Sequence, residues 1–475
     1  MINKREFYID GQWVMPIEPC DLEVINPADE KVIGIVSQGT KRDVDLAVKA
    51  AQKGLEAMSE TSFEQRMGWL KNLLAITKRR YDELAHVLSL ELGAPITMAK
   101  EQQIDAGVGH LEAFIEAMHE IKWRTTLKND DVILREPIGI CGLITPWNWP
   151  INQIALKVVP ALATGCSCIL KPSEYTPLNA VIYAEMIAEA GFPDGAFNLI
   201  QGTGETVGVA LSEHEDVQLV SFTGSKRAGA LVSKAGADSV KKIILELGGK
   251  SPNLVFADSD LENTVASSVL EIFNNSGQSC DAPTRMLVER VVYNQVIELA
   301  IATAKKVKCD LPSKKGDHIG PLINLIQYQK VTQLIRSGIS EGARLLIGGP
   351  EKPKNLKKGY YVQPTIFSDV TPSMQIYREE IFGPVLSITA FDHEDEAIAM
   401  ANDTSYGLAA YIQTDDQARA QRVAKKIRAG NIHINGAPYQ YGSPFGGYKH
   451  SGIGREGGVW GLEDLTEIKA IHAPF

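Results

Sequence analysis

The sequence predicts an α/β protein of more than one domain, on three observations. The chain has 475 residues, beyond the roughly 250 to 300 at which one hydrophobic core stops growing. After residue 130, short apolar runs alternate with helical stretches, the pattern of βαβ units around a parallel sheet. A second alternation of the same kind begins after about residue 249.

The elements follow in order. "TKRDVDLAVKAAQKGL" starts a helix at Thr40, which caps it with Asp43 three residues on, and Val44, Ala47, Val48, Ala51 and Leu55 repeat at helical spacing. The next stretch opens on Ser62 with Gln65 in the capping-box position and is read as one helix stopping at Gly93, before Pro95. "GICGLITPW", "CSCILK", "FNLIQG", "VQLVSFTGS", "KKIILEL" and "NLVFAD" are expected as strands. The second alternating stretch runs from "RMLVERVVY" to "GNIHINGAP". The tail "LEDLTEIKAIHAPF" reads as a strand with nothing after it to pair with, and so is expected to complete a sheet elsewhere, including on a partner subunit.

Composition narrows the function. A net charge of -10 and a pI near 5.5 leave no basic field for phosphates, which argues against nucleic acid or an anionic membrane and for a small-molecule partner. The first residues have no signal-type apolar stretch, and the longest apolar run, Val158 to Leu170, is shorter than the roughly 18 residues of a membrane span, so a cytoplasmic protein is expected. Six cysteines form no pair of CxxC motifs, and nine histidines show no HExxH spacing, so neither disulfides nor a metal are indicated.

Several segments can carry chemistry. In "NNSGQSCDAPTR", Cys280 sits in a loop between an apolar run and a strand, readable as a nucleophile or as an inert buried thiol. Glu246 lies among isoleucine and leucine at the end of a strand; burial without a partner would raise its pKa toward that of a general base, unless it reaches solvent past a mobile Gly248-Gly249. Asn148, held between two tryptophans and two prolines, is either a turn former or a rigid oxyanion donor. Lys171 at a strand's carboxyl end with Glu174 three residues on is a surface ion pair or a ribose grip. In "SFTGSKRAG", Gly224 is able to take an unusual backbone angle, and Ser225 is expected at the start of a helix whose free N–H groups can meet a phosphate. "GTGETVG" at Gly202 is not the dinucleotide fingerprint and alone is a turn.

Taken together, "TPWNWP", "LKPSE", "FTGS", "LELGGKSPNLVF", "GQSC", "EEIFGPV" and "PFGGYKHSGIGRE", in that order between residues 145 and 456, resemble the aldehyde dehydrogenase superfamily, hydrolytic NAD(P)-dependent branch. The resemblance covers essentially the whole chain. It implies a Rossmann-type cofactor domain (1–122 and 138–248), an α/β catalytic domain (249–440), and a small β oligomerisation element (123–137 and 461–475, with 441–460 returning), in a homodimer or homotetramer. It implies Cys280 as thiol nucleophile, Asn148 with the Cys280 backbone N–H as oxyanion donors, Glu246 as water-activating base, and Lys157 and Glu456 as a proton relay. Lys171 and Glu174 match the adenosine-ribose pair, Gly224 and Ser225 the phosphate turn, and Glu380, Phe382 and Trp147 the nicotinamide grip. Trp149, Ser279, Asp281 and Phe445 would line the aldehyde pocket, which Leu156 would widen where some relatives carry an aromatic.

The implied activity is oxidation of an aldehyde to a carboxylic acid with NAD, in preference to NADP, through a Cys280 hemithioacetal and thioester. Glu246 argues against the CoA-acylating branch, and the nucleotide motifs against a cysteine-dependent esterase. Asp281 directly after the nucleophile is unusual: a carboxylate there raises the thiol pKa unless it points away.

Overall fold

The computed structural model describes residues 1–472. Two large sheets dominate, and both are mostly parallel, as the alternation predicted. The first has eight strands in the order Gly452–Ile453, Lys242–Glu246, Leu219–Thr223, Ile140–Ile144, Ser167–Lys171, Phe197–Leu199, Phe7–Ile9, Gln12–Val14. Its five central strands are parallel, and the flanking ones antiparallel. The second has seven strands in the order Arg344–Ile347, Thr365–Ser368, Val385–Phe391, Arg285–Glu289, Pro252–Val255, Ala409–Gln413, Asn431–Ile434, all parallel except the first.

In the first sheet, strand order runs outward from Ile140–Ile144 through Ser167–Lys171 to Phe197–Leu199, then returns to the other side of Ile140–Ile144 with Leu219–Thr223 and Lys242–Glu246. That reversal opens a crevice at the carboxyl ends of the strands, the ligand position of a doubly wound sheet. Such strands are covered on both faces and read as continuous apolar runs; Ile140–Ile144, Ser167–Lys171 and Leu219–Thr223 are buried throughout.

Helix Lys41–Ser59 forms as predicted, with the Thr40–Asp43 capping box in place. The next predicted helix is two, Phe63–Arg79 and Tyr81–Glu91, broken at Arg80. Arg80 turns its guanidinium to Glu83 and Glu185, at 2.7 and 2.6 Å. The chain bends there to follow the core, which local periodicity does not register.

The tail completes a sheet elsewhere in the chain: Thr466–Ile471 pairs antiparallel with Val132–Pro137, which also pairs with Arg124–Thr126, in a three-stranded sheet. Its partner precedes it by more than 300 residues, so no local pattern announces the pairing. The expected element 461–475 extends past residue 472, and its last three residues lie outside those described. Among the described residues, no helix is long and apolar enough to cross a membrane.

Candidate active site

The first sheet delivers side chains from the carboxyl ends of four adjacent parallel strands. Asn148 follows Ile140–Ile144, Lys171 ends Ser167–Lys171 with Glu174 just beyond, Gly224 and Ser225 follow Leu219–Thr223, and Glu246 ends Lys242–Glu246. The second sheet faces them with its amino ends: Cys280 precedes Arg285–Glu289, and Glu380 and Phe382 precede Val385–Phe391.

Two glycines mark where the halves touch. A Cβ on Gly248 would lie 2.2 Å from a Glu380 carboxylate oxygen, and one on Gly249 would lie 2.4 Å from the Cys280 carbonyl oxygen. Gly249 N–H donates to Glu380 Oε1 at 3.1 Å. Both glycines are buried, so they are not a mobile exit to solvent for Glu246. They are small because two loops of the other sheet press on them.

Glu246 is therefore enclosed, 2% exposed, with neither carboxylate oxygen bonded among the described residues. Burial first, and then the Glu456 carboxylate, push its carboxyl well above the usual range. The backbone at Gly446 covers it, since a Cβ there would meet Glu246 Oε1 at 2.6 Å. Beside it Lys157 and Glu456 form a buried ion pair, and Lys157 Nζ also donates to Ser221 Oγ at 3.0 Å. Phe445 and Glu456 exchange backbone hydrogen bonds at 2.7 and 2.8 Å, which fixes the returning segment over this pair.

Asn148 is buried and rigid. Its carbonyl accepts from Gln103 Nε2 at 3.0 Å and Asn275 Nδ2 at 2.9 Å, while its own Nδ2 donates to the Gln278 carbonyl at 3.0 Å. Its other amide hydrogen has no acceptor among the described residues. Gln278 is itself locked, with Oε1 accepting from Ile323 N and Nε2 donating to Asn275 O, both at 3.0 Å.

The loop before Cys280 takes an unusual path. Asn275, Ser276 and Gly277 are consecutively left-handed, with φ of 49°, 57° and 74°, a conformation that strains a serine by roughly 1–2 kcal/mol. Gly277 also admits no side chain, because a Cβ would sit 2.1 Å from the Gly383 carbonyl. The loop aims the thiol into a cavity of about 470 Å³ lined by Trp149, Ser279, Asp281, Phe445 and Tyr411, and reaching Leu156. Trp149 Nε1 donates to Ser279 Oγ at 2.9 Å. Burial raises the thiol well above its ordinary value, and the carboxylates of Asp281, Glu246 and Glu380 add to it; only its own backbone N–H opposes them. Asp281 is half-buried and lines the cavity, and the Tyr411 hydroxyl donates to its carbonyl at 3.2 Å.

The nucleotide-type residues converge as well. Lys171 Nζ is buried and pairs with Glu174 at 3.1 Å. Ser225 caps helix Lys226–Ala235 by accepting from Ala228 N–H. Gly224 does not use the backbone freedom open to it: it is not among the left-handed glycines, and a Cβ there would meet the Phe222 ring at 2.5 Å. The unusual angle is found instead at Phe382, φ 59°, whose carbonyl is held by Gln327 Nε2 at 2.7 Å and whose ring meets Trp147 edge-on at 5.3 Å. A buried lysine–carboxylate pair, a capped helix start and a carboxylate beside the gap between the sheets fit a dinucleotide: ribose hydroxyls, a pyrophosphate and a second ribose.

Sequence reasoning missed Gln103, Asn275, Gln278 and Gln327, the amides that hold Asn148 and Phe382, along with Glu271, His110, Tyr411 and His433 on the cavity wall. Asn275 and Gln278 carried a signal, standing next to the cysteine; the others sit in ordinary helix and strand patterns.

Comparison with known proteins agrees with the geometry. Residues 13–471 match the model of the Aldehyde dehydrogenase family. The 3-succinoylsemialdehyde-pyridine dehydrogenase of a Pseudomonas species is 48% identical over 472 residues, 99% of each chain. The crystal structure of an aldehyde dehydrogenase from Bartonella henselae has a TM-score of 0.98 at 47% identity, covering 99% of each chain. A mutant of aldehyde dehydrogenase C from Pseudomonas syringae, complexed with NAD+ and octanal, has a TM-score of 0.97 at 45% identity, covering 98% of this chain and 96% of that one.

Proposed function

The chain belongs to the aldehyde dehydrogenase family, and from that premise we propose that it oxidises an aldehyde to a carboxylic acid with NAD as cofactor, through a thioester on Cys280. The observation that carries this reading is the partnerless, buried Glu246 beside a thiol that opens on a cavity. A carboxylate so enclosed has no structural bond to make. Its raised affinity for a proton is what a base acting on water needs.

NAD+, when bound, supplies the hydride acceptor. Lys171 and Glu174 would hold the adenosine ribose, Ser225 and the N–H groups after it the pyrophosphate, and Glu380 the second ribose, with Phe382 and Trp147 beside the nicotinamide. Glu174 favours NAD, because its carboxylate hydrogen-bonds a 2'-hydroxyl and repels a 2'-phosphate. The relatives in complex with NAD+ support the same choice.

Cys280, its thiol proton released to water in the cavity, attacks the carbonyl carbon through Sγ as the thiolate, and the carbonyl π electrons become an oxyanion. The free Asn148 N–H and the Cys280 backbone N–H, which reaches no acceptor oxygen among the described residues, hold that oxyanion. Once the hemithioacetal has lost its hydride, a thioester remains on Sγ. Glu246 takes a proton from the water that attacks it, the C–S bond breaks, and the acid leaves. Glu456, Lys157 and Ser221 form a buried hydrogen-bonded group beside Glu246, suited to take up the proton that Glu246 gains.

Glu246→Gln tests the base. Mixed with aldehyde and NAD+, it should release one equivalent of NADH in a burst and then stall, with the acyl group on Cys280 seen by mass spectrometry; steady turnover at the wild-type rate would sink the assignment. The pH sign follows from the raised carboxyl. Ionised Glu246 is gained as pH rises, so hydrolysis of the thioester keeps climbing with pH above the ordinary carboxylate range instead of levelling off within it. If added CoA were required for turnover, the acylating alternative would replace this one.

A further inference from the structure

Neither Glu246 oxygen has a hydrogen bond among the described residues, so the carboxylate is aimed by the walls it touches. The returning segment supplies one of them. A Cβ on Gly446 would meet Glu246 Oε1 at 2.6 Å, the Gly454 carbonyl at 2.8 Å and Arg455 Cδ at 3.0 Å. The same segment runs antiparallel to the strand that carries the base, with Gly452 opposite Glu246. Arg455 ties its two passes together, donating through Nη1 to the carbonyls of Gly447 at 3.3 Å and Gly454 at 2.6 Å.

Arg455 is anchored in turn by a residue that the mechanism above does not use. Asp464 Oδ2 accepts from the Arg455 backbone N–H at 2.8 Å. Its Oδ1 stands 3.5 Å from the Nζ of Lys242, the first residue of the strand that ends in Glu246. The backbone leaves a place for this carboxylate: Gly454 is left-handed, φ 87°, and a Cβ there would lie 2.9 Å from Asp464 Oδ2. Asp464 is also the last residue of helix Gly458–Asp464, the end at which free carbonyls disfavour a carboxylate. Helix formation therefore does not account for it. One half-buried carboxylate links the start of the Glu246 strand to the segment that covers its end.

We propose that Asp464 is a positioning residue for thioester hydrolysis: through Arg455 it holds the Gly446 backbone against Glu246, and so keeps the base directed at the attacking water. This rests on the oxidation reading above, with Glu246 as base, and adds the residue that holds the base in place. Formation of the thioester uses Cys280 and Asn148, which ride on other segments, so the two half-reactions should respond differently to a change at Asp464.

The test follows both in a single turnover of hexanal with NAD+ and enzyme in excess. NADH absorbance reads formation of the thioester, and loss of the Cys280 acyl adduct, by quenching and mass spectrometry, reads its hydrolysis. Asp464→Ala should fold, since it puts the best helix former at a helix end and removes an unfavourable charge. It should keep the NADH rate within about twofold while hydrolysis slows by about tenfold or more, the scale of a slightly misdirected reacting group. Asp464→Asn keeps an acceptor for the Arg455 N–H and should restore hydrolysis. Its rising pH limb should lie at lower pH than in wild type, because Asp464 is among the charges that, after burial and Glu456, raise the Glu246 carboxyl.

If Asp464→Ala hydrolyses the adduct at the wild-type rate, slows both half-reactions alike, or is not rescued by Asp464→Asn, the positioning role falls and the oxidation reading stands. If Asp464→Ala does not fold, the pH limb of Asp464→Asn decides, a shift to lower pH supporting the inference and an unmoved limb overturning it. If Glu246→Gln hydrolyses the adduct as wild type does, the base and its positioning residue fall together. If wild-type enzyme yields no NADH from hexanal or benzaldehyde, the oxidation reading falls as well.

Discussion

The two sheets contribute to one site in opposite ways. The first presents carboxyl ends: Asn148, Lys171, Ser225 and Glu246 each follow a buried parallel strand, and each is fixed by ordinary elements such as a strand end or a helix cap. The second presents amino ends, where Cys280, Glu380 and Phe382 ride on loops before strands. Those loops hold their shape by left-handed Asn275, Ser276 and Phe382 and by side-chain amides on backbone carbonyls. In the proposed mechanism the first half supplies groups that bind and polarise from a rigid crevice, and the second supplies the atom that makes the bond, from a loop whose conformation is maintained against local preference.

The sharpest break of that comparison removes the atom itself. Cys280→Ala should lower NAD-dependent aldehyde oxidation by on the order of 10⁴-fold or more, as loss of a nucleophile does elsewhere, while titration calorimetry still registers NAD binding, because the crevice belongs to the other sheet. Turnover near wild type would remove Cys280 from the mechanism. Asn148→Ala, on the first sheet, should cost less, about 10²- to 10³-fold in kcat, the scale of one oxyanion donor. An effect confined to KM would assign Asn148 to binding alone.

A pair of glycines asks whether the two halves are held differently. Gly277→Ala must accept φ 74° and a Cβ 2.1 Å from a backbone carbonyl, a combined cost of about 3 kcal/mol or more. Gly224→Ala meets only the Phe222 ring, at 2.5 Å and without a left-handed angle, and the ring can swing. Thermal unfolding should therefore drop by several degrees more in the first than in the second. Equal losses would mean that the cysteine loop is no more constrained than the phosphate turn.

The same contrast explains what could be read from sequence. The first sheet was legible: its strands are continuous apolar runs, and Glu246 stood out as a carboxylate among isoleucine and leucine. The family motifs located Cys280, Glu380 and Phe382, but nothing in periodicity foretold that Ser276 and Phe382 would be left-handed, because their backbone angles are imposed by contacts with Gly320 and Gln327, 44 and 55 residues away. Periodicity did not announce the pairing of Thr466–Ile471 with Val132–Pro137 either; only the resemblance grouped those two segments. Glycines misled in one direction only. Gly224 and Gly248 were read for backbone freedom, whereas both are small to make room for a neighbouring side chain.

The smallest expected effect separates the two halves electrically. Cys280 receives its negative surroundings from both: Asp281 and Glu380 from its own side, Glu246 from the other. Asp281 acts most strongly among them, so Asp281→Asn should lower the thiol pKa, since removing a negative charge favours the thiolate. The rate of iodoacetamide alkylation, followed against pH without substrate, should then rise at lower pH than in wild type and be faster at pH 7. Glu246→Gln should move the same profile in the same direction by less, because its carboxyl is already raised and carries its charge over less of the range. If the first-sheet change moved the profile further than the second, the thiol would be governed by the crevice and not by its own loop.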